Sequence, residues 1–401
     1  MDRIKKILET VLENKLDAAL ISSVPNIIYL TGYSGFSYLE REAFLVVAQP
    51  QGLTHKTPGV FGYIITDGRY SEAVSKILLN LPKYELLEIS NKNSLDDIFK
   101  SLSKKIKKLG IEENNISLSE SKKLKKYFKL VSLKDLENLR IVKEESEILK
   151  IQKACEIGDK AFNFILKKLK EGVSEKQIAF DLEYFIKQKR ADISFPPIVA
   201  FGKNSSIPHH QTGNTKLSKN QIVLLDFGVK FENYCSDMTR TIFFGKADDK
   251  FKKIYKTVLT AQQKAIEKLS HLGGGRLRLR SHDSSEVNSR GIKATDVDAV
   301  ARNYIINQHF PTIPHSLGHG VGIEVHEPPR LSPKSKDILK PGMVFSIEPG
   351  IYISGYGGVR IEDLVVLENT VSRRAKPSSG QSLRTASGRR LTHSPKSLME
   401  I

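Results

Sequence analysis

A hairpin with an acid in each of its two apolar strands constrains this chain more than any other sequence feature. Residues 222–244 read IVLLDFGVKFENYCSDMTRTIFF, where two apolar runs flank a polar break, a pattern typical of a strand, a turn and a returning strand. The two acids, Asp226 and Asp237, lie symmetrically about this break. That symmetry predicts that they face each other across the ladder, with Cβ atoms roughly 5 Å apart. Because facing carboxylates repel each other, the hairpin requires a cation or a shared proton between them.

The same kind of hairpin occurs a second time. Residues 339–367 read LKPGMVFSIEPGIYISGYGGVRIEDLVVL and align with the first hairpin and the residues just before it. Glu348 takes the place of Asp226 and Glu362 takes the place of Asp237, and the second pair is symmetric about a glycine-rich turn. Two copies of a hairpin that each carry an acid pair predict a pseudo-twofold domain in which four carboxylates converge.

A predicted helix pair precedes each hairpin. Residues 172–186 and 291–305 carry glycine and apolar residues at matching positions, at an offset of 119. The spacing of their apolar residues is that of amphipathic helices. We therefore expect residues 143–401 to form an α+β domain of two duplicated halves, each a helix pair followed by a β-hairpin.

The preceding residues, 1–138, alternate between predicted helices and strands and indicate a separate α/β domain. A length of 401 residues also favours two domains over one. This region contains neither a G-x-G-x-x-G pattern after a strand nor a P-loop. Nucleotide binding therefore has no support, and we expect the chemistry to lie in the second domain.

The net charge of +18 raises the question of a nucleic-acid partner. Three segments, residues 49–62, 272–290 and 372–390, interrupt the patterned chain and carry net charges of +1, +2 and +6, which together make half of the total. We predict that all three are flexible insertions. The remaining positive charge lies on amphipathic Lys-rich helices, where a solvated face explains it. We therefore expect no specific nucleic-acid partner.

Apolar runs and cysteine content indicate the cellular compartment. The sequence holds no run of about 18 apolar residues, and its N-terminal helix lacks the apolar core of a signal peptide. The two cysteines, Cys155 and Cys235, are too few for a disulfide scaffold and are not spaced for zinc. We therefore expect a cytoplasmic protein with no membrane partner.

Three histidines lie close together just before the second hairpin. Residues 314–327 read PHSLGHGVGIEVHE and contain His315, His319 and His326. The glycines around His319 allow the backbone to approach a crowded centre closely. Histidines next to an acid-bearing hairpin are typical of a metal site. As alternatives, His315 could cap a turn and His326 could be a surface partner of Glu327, whereas His319 is favoured as a ligand.

Two further histidines, His209 and His210, lie in the loop-like sequence Ile-Pro-His-His before the first hairpin. Neighbouring side chains in a loop point in different directions. We therefore expect one of the two to face the site and the other to face solvent.

The motifs SLGHGVGIEVHE, FSIEPGIY and GGVRIED, with LLDFG and SDMTRT upstream, resemble those of the proline-specific metallopeptidases of the creatinase/aminopeptidase (pita-bread) family. This family includes Xaa-Pro aminopeptidase (aminopeptidase P) and Xaa-Pro dipeptidase (prolidase). The resemblance covers nearly the whole chain outside the three insertions. It implies a creatinase-like N-terminal domain that supports a homodimer, and a pita-bread C-terminal domain with two divalent metal ions.

The resemblance also implies a set of metal ligands, namely Asp226, Asp237, His319, Glu348 and Glu362. In this arrangement Asp237 and Glu362 bridge the two ions, Asp226 completes one ion, and His319 with Glu348 completes the other. Oxygen-rich ligation with one imidazole suits Mn²⁺ best, with Co²⁺ or Fe²⁺ as alternatives. Two such ions lower the pKa of a shared water and so provide a nucleophile near neutral pH.

Further roles follow from the same resemblance. Glu348 is expected to carry a proton from the nucleophile to the leaving proline nitrogen. His209, His315 and His326 are expected to hold the substrate and to stabilise the oxyanion. Arg360, two residues before Glu362, is expected to orient that carboxylate or a group of the substrate.

Several functions share this pattern in part. A creatinase-like enzyme works without metals, an inactive relative acting as a basic adaptor would have lost ligands, and a methionine aminopeptidase would not need the N-terminal domain. All five ligand positions are intact here, which favours hydrolysis of Xaa-Pro peptides. We expect an Xaa-Pro aminopeptidase, with Xaa-Pro dipeptidase as the alternative. The choice depends on whether the pocket accepts a chain beyond proline or clamps the free carboxylate of proline.

Overall fold

The chain separates into two units, Met1–Arg140 and Ile141–Ile401, in a computed structural model. The structure describes residues 3–48, 62–134, 136–270, 291–371, 384–394 and 398–401. Among these residues, no helix combines the length and the apolar composition that crossing a bilayer requires.

The first unit is built around a mixed β-sheet. Its strands are β1 Ala18–Ile21, β2 Ala43–Ala48, β3 Gly62–Asp67, β4 Tyr84–Ile89, β5 Lys108–Ile111 and β6 Lys129–Ser132. They hydrogen-bond in the order β4-β3-β2-β1-β5-β6. Strand β2 is antiparallel to both of its neighbours, and the other pairs are parallel. Parallel pairs require crossover connections, which here contain helices and give the unit its α/β character.

The helices of the first unit are α1 Arg3–Glu13, α2 Val24–Thr31, α3 Ser71–Leu78, α4 Leu95–Leu102 and α5 Leu118–Leu124. Two of them begin with a complete capping box, formed by Ser94 with Asp97 and by Ser117 with Glu120. These reciprocal bonds satisfy backbone donors at each helix start, which explains where both helices begin.

Four long helices organise the second unit: α6 Glu145–Leu166, α7 Glu175–Gln188, α8 Asp249–Ser270 and α9 Ala294–Asn307. In each half a helix of 22 residues is followed by one of 14 residues. The equal lengths agree with the repeat read from the sequence, while the pseudo-twofold relation of the halves stays a prediction. Helices α6 and α7 pack on one buried apolar cluster and helices α8 and α9 on another, to which Ile222 and Phe243 of the first hairpin also belong.

The strands of the first half are β7 Asp192–Ile193, β8 Ile198–Phe201, β9 Gln221–Phe227, β10 Val229–Phe231, β11 Tyr234–Cys235 and β12 Met238–Phe244. Strands β8, β9 and β12 form one antiparallel sheet with β9 in the centre, and β7, β10 and β11 form another. The acid-bearing hairpin therefore runs from β9 through a turn to β12.

The register of this hairpin differs from the predicted one. Asp226 lies opposite Thr239, not opposite Asp237. The reason is the turn, which is centred on Glu232 and Asn233, both in the left-handed region with φ of 45° and 72°. A two-residue turn at these positions shifts the ladder by two residues. The two acids are therefore diagonal neighbours on one face of the ladder, and the prediction that they are directly opposed is wrong.

The strands of the second half are β13 Ile292–Lys293, β14 Gly318–Gly320, β15 Glu327–Leu331, β16 Ile338–Leu339, β17 Val344–Ile347, β18 Gly350–Ile353, β19 Gly357–Arg360, β20 Asp363–Val371 and β21 Arg384–Arg390. One sheet has the order β15-β14-β17-β20-β21, while β18 pairs with β19 and β13 pairs with β16.

The register of the second hairpin matches its prediction. Ile347 pairs with Asp363 in β17 and β20, and Gly350 pairs with Arg360 in β18 and β19. The same alignment on both sides places Glu348 opposite Glu362, so the symmetry about the glycine-rich turn is confirmed.

The predicted insertions fall largely outside the described residues, which exclude 49–61, 272–290 and 372–383. Residue Gly62 begins strand β3. Residues 384–390 form strand β21, which pairs along β20 from Arg384 with Val371 to Arg390 with Val365. These residues form a strand where flexible chain was predicted, and the interpretation of the segment as an insertion stays a prediction. Strand addition to a sheet edge depends on backbone hydrogen bonds, so it does not require the apolar alternation that the segment lacks.

Candidate metal centre

The predicted ligands come from separate strands that end at one place in the second unit. Asp226 is in β9, Asp237 immediately precedes β12, and His319 is in β14. Glu348 follows β17 and Glu362 precedes β20. Four of these residues are buried, and Glu348 is partly exposed.

The ligand atoms form overlapping groups, in each of which all atoms lie within 4.8 Å of one another. The groups are Asp226 with Asp237 and Glu362; His319 with Glu348 and Glu362; and Asp237 with His319 and His326. The structure thus brings the five predicted ligands together and adds His326 at their edge. Asp237, Glu362 and His319 each belong to two groups, and of these three only the carboxylates have two oxygens with which to bridge two ions.

Three carboxylate oxygens in this cluster are buried without a hydrogen-bond partner among the described residues. They are Oδ1 of Asp226, Oδ1 of Asp237 and Oε1 of Glu362. Burying a carboxylate oxygen without a partner is unfavourable, whereas a divalent cation satisfies such oxygens. The donor set of carboxylates and one imidazole therefore fits divalent ions such as Mn²⁺.

The acids also influence each other's protonation. Burial and the charges of neighbouring carboxylates raise the pKa of Asp237 well above its ordinary range, and the pKa of Glu362 to about 8. Burial likewise raises the pKa of Asp226. Burial also acts to raise the pKa of Glu348, but the hydrogen bond and charge of His319 outweigh it, so this pKa is lowered. Burial lowers the pKa of His319 while Glu348 raises it, with a net result of about 9.

In the metal-free protein we expect stability to fall as the pH rises from about 5 to about 8. The folded-state pKa of Glu362 is raised from 4.5 to about 8, so its stabilising contribution is lost as the pH rises through that range. The raised pKa of His319 acts in the same direction, up to about 9. The lowered pKa of Glu348 acts only below 4.5. Thermal melts in EDTA should show this decline and Mn²⁺ should remove most of it; a melting temperature that rises with pH in EDTA would contradict the assignment.

The ring of His319 is oriented so that one nitrogen faces the acids. Nδ1 lies 3.2 Å from the carbonyl oxygen of Gly320 and donates to it. Nε2 lies 3.3 Å from Oε1 of Glu348 and 3.7 Å from Oδ2 of Asp237. Nε2 is therefore the atom that can bind a metal. The sequence predicted that glycines beside His319 allow a close approach of the backbone. Gly318 confirms this, because a Cβ at this position would collide with the carbonyl oxygen of Ser346.

Arg360 contacts two of the carboxylates, one directly and one through Thr239. Its Nη2 donates to Oδ2 of Asp226 at 2.5 Å, and its Nε donates to Oγ1 of Thr239 at 3.0 Å. The Thr239 hydroxyl in turn donates to Oε2 of Glu362 at 2.7 Å. Each of these acids thus has one oxygen bound by the protein and one buried oxygen without a partner among the described residues. Arg360 binds Asp226 directly and reaches Glu362 only through Thr239, and its orienting role stays a prediction.

Tyr352 connects Arg360 to His315 and was missed by the sequence analysis. Its hydroxyl accepts from Nη1 of Arg360 at 2.8 Å and lies 2.9 Å from Nε2 of His315. Nδ1 of His315 lies 2.8 Å from the carbonyl oxygen of Ser316, so Nδ1 donates and Nε2 accepts from the tyrosine. Burial lowers the pKa of His315, which favours this neutral form. The available signal was its neighbourhood in the sequence, since Tyr352 lies only four residues after Glu348.

The other predicted histidines have different surroundings. His326 is exposed, with its ring centroid 4.3 Å from that of His319. Its alternative partner, Glu327, binds Lys143 at 2.7 Å. His209 is exposed, and its charge contributes to lowering the pKa values of His315 and His326, so it lies near them.

His210 faces away from these groups toward helix α7. Its Nε2 lies 2.9 Å from Oε2 of Glu175, which is fully buried. The same carboxylate accepts from the backbone N–H groups of Phe201 and Gly213. His210 therefore belongs to the contacts that fix the loop carrying His209.

Comparison with known proteins agrees with this geometry. The sequence profile of Metallopeptidase family M24 matches residues 149–369, and the profile of the Creatinase/Prolidase N-terminal domain matches residues 3–144. An Xaa-Pro dipeptidase from Pyrococcus horikoshii is 34% identical over 381 residues, which cover 93% of this chain and 96% of that protein.

Solved structures give the same result. An Xaa-Pro dipeptidase from Bacillus anthracis has a TM-score of 0.81 at 30% identity and covers 100% of this chain and 99% of its own. An X-Pro aminopeptidase from Thermotoga maritima has a TM-score of 0.77 at 29% identity, with coverage of 96% and 98%. The chain therefore belongs to metallopeptidase family M24, a family of metal-dependent peptide hydrolases, and carries the creatinase/prolidase N-terminal domain ahead of its peptidase domain.

Proposed function

We propose that this protein is an Xaa-Pro dipeptidase that depends on two divalent metal ions. The observation that carries the proposal is the cluster of five ligands, held in a chain that aligns over 93% of its length with a protein named Xaa-Pro dipeptidase. The sequence motifs led us to expect an aminopeptidase, but the relatives support the dipeptidase alternative better. An Xaa-Pro aminopeptidase remains the second candidate because the Thermotoga maritima structure bears that name. The homodimer and the cytoplasmic location stay predictions.

A cation near the cluster supports recognition of a free carboxylate. Arg330 in β15 pairs directly with His319 in β14, and cross-strand partners have their side chains on the same face of a sheet. The side chain of Arg330 is exposed, and its charge contributes to lowering the pKa of His326. Among the described residues, its guanidinium has no ion-pair partner. It is therefore available to bind the carboxylate that ends a dipeptide.

The residues of the cluster have separable roles in hydrolysis. Asp226, Asp237, His319, Glu348 and Glu362 would hold the ions, and bound ions would polarise the scissile carbonyl and activate water. Glu348 accepts one hydrogen bond, from the hydroxyl of Ser346 at 3.2 Å, and faces His319, and its lowered pKa keeps it ionised at neutral pH. As a carboxylate, it can accept a proton from water and return it to the proline nitrogen.

The histidines around the cluster then bind the substrate. Both ring nitrogens of His315 are already in hydrogen bonds, Nδ1 with the carbonyl oxygen of Ser316 and Nε2 with the hydroxyl of Tyr352, so His315 would bind the substrate only by exchanging the tyrosine for an N–H donor of the peptide. His209 and His326 are exposed beside the cluster and are available to hold the peptide. In this assignment Arg360 acts on Asp226 and, through Thr239, on Glu362, and does not contact the substrate.

The proposal is tested by offering Gly-Pro, Gly-Pro-Ala and Gly-Ala to the protein with Mn²⁺. We expect turnover of Gly-Pro, loss of turnover in EDTA and recovery when Mn²⁺ is added back. Faster cleavage of Gly-Pro-Ala would establish the aminopeptidase instead. Absence of metal-dependent turnover on all three peptides would favour an inactive relative and contradict the proposal.

The substitution Arg330→Met tests whether this arginine binds the free carboxylate of the substrate. Loss of a charge-assisted contact to the proline carboxylate should raise KM for Gly-Pro by about tenfold or more and leave kcat nearly unchanged. Lys334→Met is the matched control, because it removes an exposed cation from the segment that follows β15. Equal effects of the two substitutions on KM would exclude a specific role for Arg330.

A further inference from the structure

One polar side chain lies within the apolar face of helix α8. This face packs into the core of the second half through Phe251, Val258 and Leu269, which are fully buried. Gln262 lies on the same face and is also fully buried. Burying an amide is unfavourable unless its hydrogen-bonding groups are used. The contacts of Gln262 should therefore show why an amide is present.

The amide of Gln262 bridges the two strands of the second hairpin. Its Nε2 donates to the carbonyl oxygen of Ile347 at 3.0 Å and to that of Ile361 at 3.1 Å. These two residues immediately precede Glu348 and Glu362. The ladder of β17 with β20 ends on one side of this point, and the ladder of β18 with β19 begins on the other. The side chain thus joins the strands at the interruption where both acids lie.

The other ends of the same two peptide groups bind elsewhere. The backbone N–H of Glu348 donates to the carbonyl oxygen of Leu317 at 2.8 Å, and that of Glu362 donates to the carbonyl oxygen of Thr239 at 3.1 Å. Each peptide group that leads into an acid is therefore held at both ends, at the carbonyl by Gln262 and at the N–H by another segment. Because the peptide group is planar, fixing both ends fixes its orientation and restricts the direction of the side chain that follows.

The oxygen atom of the same amide makes no hydrogen bond within the described part of the chain. This atom, Oε1 of Gln262, is also buried. An unsatisfied buried acceptor destabilises the fold, and an apolar side chain of similar length would avoid it. The two bonds donated by Nε2 are therefore the reason for an amide at this position.

We propose that Gln262 is a positioning residue for the metal centre. By binding the carbonyls before Glu348 and Glu362, it sets the separation and the orientation of these two acids. The inference rests on the proposed function, because the two acids need a fixed separation only if they hold ions together. This proposal gives helix α8 a role in metal affinity, although none of the five predicted ligands lies in this helix.

Gln262→Met tests this assignment, because it removes both donated bonds at nearly constant side-chain volume. We expect the affinity for Mn²⁺ to fall by about tenfold or more, as for other groups that orient metal ligands. Equilibrium dialysis with elemental analysis measures this affinity without relying on turnover. With Gly-Pro, kcat should fall more than KM changes. Gln262→Glu should also weaken Mn²⁺ binding despite its closer shape, because a protonated carboxyl can donate to only one of the two carbonyl oxygens and an ionised carboxylate to neither.

Val258→Ala is the matched control, one turn earlier on the same helix face and equally buried. It should lower the melting temperature and leave the Mn²⁺ affinity at the wild-type value. Equal losses of affinity in Val258→Ala and Gln262→Met would assign Gln262 a packing role and overturn the inference, as would unchanged affinity in Gln262→Met. A wild-type protein that binds no Mn²⁺ would instead overturn the proposed function together with this inference.

Discussion

Asp237→Asn is expected to abolish both metal binding and peptidase activity while the metal-free protein stays folded. Asp237 lies in two of the three ligand groups, so its loss affects both predicted metal positions. Loss of a residue that only orients a metal ligand weakens binding by about 10- to 100-fold, so loss of the ligand itself should exceed about a hundredfold. The substitution keeps the size of the side chain and removes a charge that faces other acids. Metal content by elemental analysis and turnover of Gly-Pro measure the two effects.

The metal-free form of this variant provides a second criterion. Burial and, after it, the charges of neighbouring acids, Glu362 foremost, raise the pKa of Asp237 well above its ordinary range, so its ionised form is unfavourable in the folded state. In EDTA at pH 8, Asp237→Asn should therefore melt no lower than the wild type, and Mn²⁺ should no longer stabilise it. Glu183→Gln, which removes an exposed acid on α7, should retain both metal binding and turnover. A variant of Asp237 that kept full Mn²⁺ content would refute its role as a ligand.

Lys143→Met is expected to produce the largest loss of stability. Lys143 and Glu327 form an ion pair of 2.7 Å inside the second unit, and both side chains are only 1% exposed. Removing the ammonium leaves the Glu327 carboxylate buried without its counter-charge, which destabilises by about 3–5 kcal/mol. For a unit of this size we expect the melting temperature to fall by roughly 10 °C. Thermal and urea unfolding measure the change.

Two further variants distinguish the loss of stability caused by breaking the ion pair from the loss that any substitution of a lysine would cause. Lys153→Met removes an exposed partner of Glu156 on α6 and should change stability by less than about 1 kcal/mol. The double substitution Lys143→Met with Glu327→Leu replaces both charges by apolar groups and should recover much of the lost stability. If the double variant were less stable than Lys143→Met alone, the buried charge would not be the cause of the loss.

The acids of the candidate site were predictable because each is a charged residue within an apolar segment of the sequence. A carboxylate inside an apolar strand stands out without any knowledge of the fold, and its repetition at Glu348 and Glu362 made the pattern specific. The register of the second hairpin was also predictable, since its turn lies at the centre of symmetry. In the first hairpin the same reasoning failed, because Glu232 and Asn233 adopt left-handed conformations and move the turn.

Strand β21 shows a different limit of sequence reasoning. Residues 384–390 have no alternation of apolar and polar side chains, so nothing local predicted a strand. The strand forms because β20 offers a row of backbone donors and acceptors at a sheet edge. Its existence depends on the neighbouring strand more than on its own composition.

The sequence by itself therefore determined which groups are candidates for the chemistry, because the residue types, their spacing and their repetition are properties of short segments. Only the tertiary structure decided how those groups are held. Gln262 reaches the carbonyls of Ile347 and Ile361, and Arg330 lies opposite His319, through contacts that the sequence pattern does not encode. The physical reason is that a hydrogen bond or a cross-strand pair depends on distance in space, and periodicity along a chain records only which face a side chain occupies.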